Sequence, residues 1–376
     1  DSSAVVSSMA LGGNDVHAFT VRYRGSGAAQ ADESPLASAL ARRYGFQLTI
    51  VDVEPDIRRV FEPIVESLDE PHADESAVPT WFICEQVARS YKVALVGTGG
   101  DELFAGYRRH FGLALANVWH RFPRPFRALA SAAGNGLSEP SGGSLGVTRL
   151  KRLLRASGDT LSSRYLSVQD RLGPVDLFSA DIRPRITAGF TESDFRRHGL
   201  AAPRDGLVRP ALYLDYKTYL PGDLLHLADR ISMAHSLELR VPLVDHEVVE
   251  DLFPIPDGTR VGWGQPKRLL RRAMLPRLPA EHFSAPKRGF VGPTAMWLRN
   301  ELAELMGDEL APERIRRLGY FDAAVVDRVR TEHLAGRHNH EGVLWSLLCF
   351  CTWRRAYSGA RPARQDPVSA SIKSGD

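Results

Sequence analysis

The chain has 376 residues, enough for two domains or for one large α/β unit with additions. Apolar residues make up 43% and charged residues 25%, an ordinary globular composition that excludes a wholly disordered or collagen-like chain. Lys plus Arg (48) nearly balance Asp plus Glu (45), and a net charge of +3 is no sign of a nucleic-acid-binding protein. No apolar run reaches the ~18 residues of a membrane helix, so we expect no membrane partner.

The first part of the chain alternates predicted helices and strands. Apolar spacing predicts helices at 4–11, 33–44, 57–67 and 81–91, and β-rich composition predicts strands at 16–23, 47–53 and 92–96. Strands separated by such helices form βαβ units with a parallel sheet, on which ligands bind at the carboxyl ends of the strands. The glycine loop after Val96 is therefore the first candidate for a binding site.

A stretch rich in Gly, Ser and Pro separates this part from a second one without clear strands. Beyond it, apolar residues at helical spacing predict helices at 224–237, 267–275 and 343–357. We expect an α/β part at 1–130, a linker at 131–147, a mainly helical part at 148–360 and a disordered tail at 361–376.

The cysteines indicate the cellular compartment of the protein, and the first residue indicates how the chain was produced. Cys84, Cys349 and Cys351 are an odd number without CxxC spacing, which supports neither a disulfide framework nor a zinc site. This pattern indicates a reducing compartment, so we expect a cytoplasmic protein.

The chain begins at Asp1 and not at Met, which indicates a fragment or a trimmed product. No signal peptide is visible, although a preceding segment could have carried one.

Asp1, Ser2 and Ser3 directly precede an apolar helix. Such side chains cap a helix by accepting hydrogen bonds from its first N–H groups. Free N–H groups also attract anions, and two hydroxyls add donors, so a phosphate site is the alternative. These three residues alone favour the helix cap. The motifs in the rest of the chain favour the phosphate site instead.

The loop from Gly97 to Glu102 follows a predicted strand and opens a helix. Its glycines let the backbone approach a ligand closely. Asp101 and Glu102 supply the hard oxygen atoms that Mg²⁺ binds. The alternative is a tight turn with a capping carboxylate, since glycine loops are common.

Two further groups of charged residues each have two interpretations. The first group comprises Asp229, Arg230, Glu238, Arg240 and Asp245. It forms either a solvated helix face with internal ion pairs or a partly buried network. The second group comprises Lys267, Lys287 and Arg288. These are either ordinary surface residues or cations that stabilise phosphate and developing negative charge.

Six segments in this order resemble the synthetase domain of glutamine-hydrolysing asparagine synthetase: DSS, GTGGDELFAGYRRH, LADRISMAHSLELRVPLVDHEVVE, PKRLLRRAM, APKRGF and LWSLLCF. The likeness covers nearly the whole chain, and the order of the motifs is more specific than any one of them. It implies a parallel-sheet, adenine-nucleotide alpha hydrolase-like (PP-loop ATP pyrophosphatase) domain with an additional mainly helical C-terminal region. The family motif is SGGLDSS, of which DSS is present here.

The resemblance implies an ATP-dependent amide ligase. In that family the side-chain carboxylate of aspartate attacks the α-phosphorus of ATP, which yields β-aspartyl-AMP and Mg-pyrophosphate, and ammonia then displaces AMP. The implied cofactors are ATP and Mg²⁺, and the implied substrates are aspartate or a similar carboxylate and ammonia from a glutaminase domain. That domain, with its N-terminal Cys nucleophile, is absent from this sequence, so we expect no glutamine hydrolysis by this chain alone. A homodimer is left open.

The resemblance also assigns roles to individual residues. It implies that Asp1 and Asp101 hold Mg-pyrophosphate, that Ser2 and Ser3 donate to pyrophosphate, and that the backbone of Val21 meets adenine. Gly97 matches a nucleotide-contacting glycine, and the neighbouring loop residues Thr98, Gly99 and Gly100 are assigned to the same nucleotide site. Lys267 matches a lysine that stabilises the reacting phosphate and the later oxyanion, and with Asp101 and Glu102 it completes the expected catalytic set.

Thr98 departs from the family pattern, because many members hold a carboxylate between these two glycines. In asparagine synthetases that carboxylate is linked to intermediate formation and ammonia attack, and β-lactam synthetases carry Tyr there. Thr cannot act as a base near neutral pH, so the acceptor is left open. The alternatives are the same adenylating chemistry on another carboxylate, as in a β-lactam synthetase or a peptide macrocyclase, and a non-catalytic relative.

Overall fold

Parallel strands and many helices make up the fold. The computed structural model describes residues 1–23, 32–53, 57–135, 160–169, 175–187, 193–262, 265–284, 290 and 292–358. The first part alternates as predicted, in the order α1 (Ser2–Leu11), β1 (His17–Tyr23), α2 (Ser34–Tyr44), β2 (Gln47–Val53), α3 (Arg58–Ser67), α4 (Ala77–Ala88) and β3 (Val93–Leu95).

Helices dominate the rest of the described chain. They are α5 (Gly100–Phe104), α6 (Arg108–His120), α7 (Arg124–Asn135), α8 (Leu161–Gln169), α9 (Arg183–Thr187), α10 (Ser193–Ala201), α11 (Arg209–Leu214), a π-helix (Asp215–Leu225), α12 (His226–Ala234), α13 (His246–Leu252), α14 (Asp257–Arg260), α15 (Arg268–Met274), α16 (Glu281–Ser284), α17 (Thr294–Arg299), α18 (Ala303–Glu309), α19 (Pro312–Leu318), α20 (Ala323–Leu334) and α21 (Glu341–Ser358). One strand, β4 (Glu238–Arg240), interrupts this series.

The four described strands form two parallel pairs and not one continuous sheet. β1 pairs with β2 in a register that runs from His17 opposite Gln47 to Tyr23 opposite Val53. β3 pairs with β4, with Val93 opposite Glu238. The prediction of parallel strands is confirmed, and the ladder hydrogen bonds among the described residues stay within each pair.

β4 is a strand that the sequence analysis missed, and it pairs with β3 across a long stretch of chain. Leu237 to Val241 alternate apolar and polar residues, as a half-buried strand does. The alternation is too short to stand out beside the helical pattern of α12. The second part of the chain therefore contributes to the α/β layer as well as to the helices.

Local sequence accounts for the ends and faces of several helices. α2 ends at Gly45, whose φ of 74° is the left-handed conformation that glycine adopts without strain. α3 buries one stripe at helical spacing, including Val60, Phe61 and Ile64. α20 is capped by Asp322, whose side chain accepts hydrogen bonds from the first backbone N–H groups of that helix.

The largest group of buried apolar residues joins the strands to helices from both parts of the chain. Phe61 of α3 meets Trp345 of α21 edge to face, with ring centroids 5.3 Å apart. Trp345 is 2% exposed, so this contact lies deep in the interior. The core thus ties the last described helix to the first α/β elements.

The predicted linker and tail fall largely outside the described residues. α7 extends to Asn135, so the beginning of the expected linker at 131–147 is helical, and the remainder of that segment is not described. The tail at 361–376 also lies outside the described residues. Within the part of the chain that the structure describes, no helix is both long and apolar enough to cross a membrane.

Candidate functional site

The candidate site forms where α1 meets the loop that follows β3. α1 begins at Ser2, directly after Asp1, and the loop leads from Gly97 into α5. A Cβ atom on Gly97 would collide with the backbone of Asp1 and Ser2, and one on Gly100 would collide with the Asp1 carboxylate. Glycine at both positions therefore lets the loop lie directly against the start of α1.

Lys267 joins these two segments through its ammonium group. Its Nζ lies 2.5 Å from Oδ2 of Asp1 and 2.7 Å from Oδ1 of Asp101. The three side chains are only 13% to 18% exposed, so water screens these ion pairs only in part. Lys267 immediately precedes α15 and has a left-handed backbone with a φ of 56°. The predicted position of Lys267 at the start of a helix is confirmed.

The side chain of Asp1 contradicts the interpretation that Asp1 caps its helix. It makes no capping hydrogen bond to α1, and it pairs instead with the ammonium of Lys267. Ser2 is exposed and Ser3 is half-buried at the same helix start, and both line the cleft described below. An α-helix N-terminus with serine hydroxyls suits an anion, and the phosphate site stays a prediction.

The carboxylate oxygens around Lys267 suit Mg²⁺ as well as an ammonium group. The carboxylates of Asp1 and Asp101 hold the positive charge of Lys267 between them, and two carboxylates exceed one ammonium in charge. Mg²⁺ is typically bound by one or two carboxylates together with phosphate oxygens and water. The described residues contain no cluster of three or more His, Cys, Asp or Glu that could bind a metal alone. Asp1 and Asp101 would therefore share the ion with phosphate.

A cleft of about 1650 Å³ is lined by residues of both strand pairs. Residues of β1 and of β3 line it, together with the glycine loop and Lys267. It contains most of the residues expected from the sequence, namely Asp1, Ser2, Ser3, Val21, Gly97, Thr98, Gly99, Asp101, Glu102 and Lys267. Gly100 lies against the Asp1 carboxylate. The structure thus brings the expected residues together.

Glu102 adjoins Asp101 in sequence but has a different environment. It is 1% exposed, and Tyr107 donates a hydrogen bond of 2.5 Å to its Oε1. Burial raises the pKa of the Glu102 carboxyl to about 7, against the lowering effect of the Tyr107 hydrogen bond. A carboxyl with this pKa exchanges a proton near neutral pH.

A second charged cluster, which the sequence analysis did not predict, is buried behind the cleft and reaches it through Arg109. Asp215 is completely buried, and Arg109 donates to its Oδ2 from Nε at 3.2 Å and from Nη2 at 2.9 Å. His110 Nε2 lies 2.6 Å from the same oxygen, and Tyr165 donates to the other one. Burial acts to raise the pKa of Asp215, but His110 and Arg109 outweigh it, so that pKa lies below its usual value.

Two tyrosine rings enclose the guanidinium of Arg109. Its Cζ lies 3.8 Å from the ring centroid of Tyr107 and 4.2 Å from that of Tyr219. Tyr219 comes from the π-helix Asp215–Leu225, and π-helical turns occur often at functional sites. The sequence shows GYRRH, but it does not indicate which of the two arginines faces the cleft. Adjacent helical residues are about 100° apart, and only the fold selects one.

Arg230 and Arg240 lie in ion pairs, Asp245 caps a helix, and two further charged residues singled out in the sequence lie outside the described residues. Arg230 pairs with Asp69 at 3.2 Å, and Arg240 pairs with Glu238 at 2.9 Å. Asp245 caps α13. Both ion pairs are exposed to water, as the solvated-face interpretation predicts, although Arg230 pairs with a residue far away in the chain. Lys287 and Arg288 lie outside the described residues.

Comparison with known proteins gives one family for nearly the whole chain. The family model for asparagine synthase matches residues 1–355. A putative glutamine-hydrolysing asparagine synthetase of Mycobacterium tuberculosis is 32% identical over 342 residues, which is 90% of this chain and 50% of the relative. The glutamine-hydrolysing asparagine synthetase 1 of Bacillus subtilis is 26% identical over 359 residues, or 94% of this chain and 54% of the relative.

A relative with a different name matches less closely. The amidase chry2 of Gibberella zeae is 25% identical over 324 residues, which is 81% of this chain and 47% of the relative. The chain spans about half the length of the curated relatives it matches.

Proposed function

Since the chain belongs to the asparagine synthase family, we propose that it is the synthetase half of an ATP-dependent, AMP-forming amide ligase with a PP-loop type nucleotide site. The observation that carries this proposal is the ammonium of Lys267, held between the carboxylates of Asp1 and Asp101 beside the glycine loop. This arrangement offers both a cation for a phosphate and oxygen ligands for Mg²⁺ at the edge of one cleft.

Activation of the acceptor is the first chemical step. A carboxylate oxygen of the acceptor attacks the α-phosphorus of ATP, the bond to the β-phosphate breaks, and pyrophosphate leaves with that electron pair. Ser2, Ser3 and the N–H groups at the start of α1 bind the leaving pyrophosphate. Lys267 stabilises the negative charge that grows on it. Bound Mg²⁺, held by Asp1 and Asp101, would neutralise further charge on the phosphates.

Amide formation is the second step. Ammonia attacks the acyl carbon of the adenylate, AMP leaves, and the nitrogen must lose one proton. Glu102 lines the cleft and has a pKa of about 7, so its carboxylate can accept that proton near neutral pH. Thr98, in the position where many relatives hold a carboxylate, has no group that could do so.

Aspartate is the proposed acceptor because of the family. The same activation of a different carboxylate is the second candidate, and the observation that favours it is Thr98, which lines the cleft without supplying a carboxylate. The two candidates share the ATP chemistry and differ only in the acceptor.

Release of pyrophosphate tests the proposal. The printed chain, and a version with the family residues SGGL added before Asp1, would be incubated with ATP, Mg²⁺ and ammonium, with and without aspartate. We expect aspartate-dependent formation of pyrophosphate, AMP and asparagine. Pyrophosphate release with other carboxylic acids but not with aspartate would favour the second candidate. Binding of ATP without pyrophosphate release for any acceptor in a broad panel would refute the ligase proposal.

A further inference from the structure

We propose that Arg109 determines acceptor specificity by binding a second carboxylate of the acceptor, one that is not activated in the reaction. The inference rests on the proposed function and adds a residue that selects the substrate. It begins from the geometry of the guanidinium. Nε and Nη2 both donate to Oδ2 of Asp215, so the third nitrogen, Nη1, lies outside this ion pair.

The position of Arg109 leaves part of its surface available to the cleft. The Arg109 side chain is 13% exposed, whereas that of Asp215 is fully buried, and Arg109 is among the residues that line the cleft. The buried carboxylate of Asp215 therefore holds the guanidinium in place, and the exposed part of the Arg109 side chain lies at the cleft. Arginine is suited to this task, because its planar fork matches the geometry of a carboxylate.

The surroundings of the guanidinium hold it in one orientation before any ligand arrives. The rings of Tyr107 and Tyr219 lie 3.8 and 4.2 Å from its Cζ, and such cation–π contacts restrict an arginine that would otherwise sample many rotamers. Burial alone would lower the pKa of Arg109, but Asp215 outweighs it and raises that pKa, so the group stays charged. A preorganised cation loses little entropy when it binds an anion.

The residues between Lys267 and Arg109 set the guanidinium apart from the proposed phosphate site. A Cβ on Gly106 would collide with Asp101 and with the Lys267 side chain, so Gly106 lies against that ion pair. Tyr107 follows Gly106 and hydrogen-bonds to Glu102, and Arg109 lies on the face of the Tyr107 ring. Arg109 is thus separated from Lys267 by the Gly106–Tyr107 layer. An acceptor that contacts both Lys267 and Arg109 needs a second anionic group apart from the carboxyl that reacts.

The test compares acceptors that differ only in the second carboxylate. Aspartate and glutamate would be paired with β-alanine and 4-aminobutyrate, which keep the amine and the distal carboxyl but lack the α-carboxylate. Pyrophosphate release would be measured for the unaltered protein and for Arg109→Lys, Arg109→Gln and Arg108→Gln. Arg108 is exposed and adjacent, so its variant is a matched control. Melting temperature and ATP affinity would be measured for each variant.

We expect the unaltered protein to prefer the acceptors with the α-carboxylate. Arg109→Gln and Arg109→Lys should raise the KM for those acceptors about 10- to 100-fold, the usual effect of losing a charged hydrogen bond. The KM for β-alanine and 4-aminobutyrate, the ATP affinity and all values for Arg108→Gln should be unchanged. Arg109→Lys keeps a positive charge beside Asp215, so it separates recognition of the acceptor from support of the fold.

Three results would overturn the inference. The first is an equal effect of the Arg109 variants on both kinds of acceptor. The second is a matched loss of ATP affinity, which would place a phosphate at Arg109. The third is an acceptor preference that neither variant changes. Each of these leaves pyrophosphate release by the unaltered protein intact, so it can be told apart from failure of the proposed ligase activity.

Discussion

At the scale of single residues, the ammonium of Lys267 is the most informative group in the cleft. Its Nζ contacts two carboxylates from segments far apart in the chain, and its backbone has the left-handed φ of 56° that is uncommon for a residue with a side chain. Such a conformation costs free energy, and it persists only where the surrounding structure holds it. Here the carboxylates and the start of α15 do so.

Lys267→Ala should lower turnover by roughly 10²–10³-fold, because a preorganised charge that acts on the transition state is lost. The affinity for ATP should change much less. Steady-state pyrophosphate release and equilibrium ATP binding would measure the two effects. Lys217 is exposed and lies outside the cleft, so Lys217→Ala is the control. A matched loss of affinity and rate would make Lys267 a clamp for ground-state phosphate, and unchanged turnover would make it a structural residue.

Glu102 should make stability depend on pH. Burial raises its folded-state pKa to about 7, whereas the unfolded value is about 4.3. The folded state therefore binds this proton more tightly, and the stability that it contributes at low pH is lost as the pH rises through 7. The free energy of unfolding should fall by on the order of 3 kcal/mol between about pH 4.3 and 7 from this group.

Glu102→Gln, which cannot ionise, should flatten that part of the pH profile. Chemical denaturation at a series of pH values measures it. Glu313, whose side chain is 73% exposed, offers a control in Glu313→Gln, which should leave the profile as it is. If Glu102→Gln has the same slope as the unaltered protein, the Glu102 carboxyl titrates in the ordinary range.

At the scale of elements, the short helix α5 directs two neighbouring carboxylates to different partners. It lies between Gly99 and Ala105, which both have left-handed backbones, with φ values of 93° and 60°. Asp101 pairs with Lys267, and Glu102 accepts from Tyr107. Five residues of helix between two sharp turns thus present one carboxylate to the cleft edge and bury the other.

Gly106→Ala should disrupt this element. The added methyl group would overlap Oδ1 of Asp101 and the Lys267 side chain, and overpacking of this kind typically costs about 1–3 kcal/mol. We expect a lower melting temperature and lower pyrophosphate release. In Gly258→Ala the added atom has open space around it, so that variant should fold and turn over normally. Equal behaviour of the two variants would show that the loop can move away from Lys267.

At the scale of the whole molecule, the core draws residues from both parts of the chain. The contact of Phe61 with Trp345 joins α3 to α21. The three cysteines lie in the same buried group, each at most 3% exposed. Burial raises the pKa of the Cys84 and Cys351 thiols to about 12, and it also raises that of Cys349.

These thiols should therefore resist modification while the protein is folded. At pH 8 a thiol with a pKa near 12 is only about 10⁻⁴ ionised, and the thiolate is the reactive form. We expect a chromogenic disulfide reagent to label all three cysteines rapidly in denaturant and very slowly without it. Rapid labelling of the folded protein would show that the core opens easily or that one of these cysteines is accessible.

Short-range pattern and motif order in the sequence determined much of the element order and the candidate site. The alternation of helices and strands up to Val96 follows from local periodicity, which neighbouring residues encode. The family likeness depends on motifs such as GTGGDELF, and it identifies Asp1, Asp101 and Lys267 from the sequence alone. The assignment of roles to these residues stays a prediction.

Only the tertiary structure decided what depends on contacts between distant segments. β4 became a strand because β3 offers it a partner, and an isolated run of three residues has no such signal. The side chain of Asp1 pairs with Lys267 and does not cap α1. Which of these two contacts forms depends on a residue far along the chain. Arg109 was distinguished from Arg108 by Asp215, whose buried carboxylate binds one of them. Burial and charge pairing arise from the folded chain as a whole, and local sequence does not encode them.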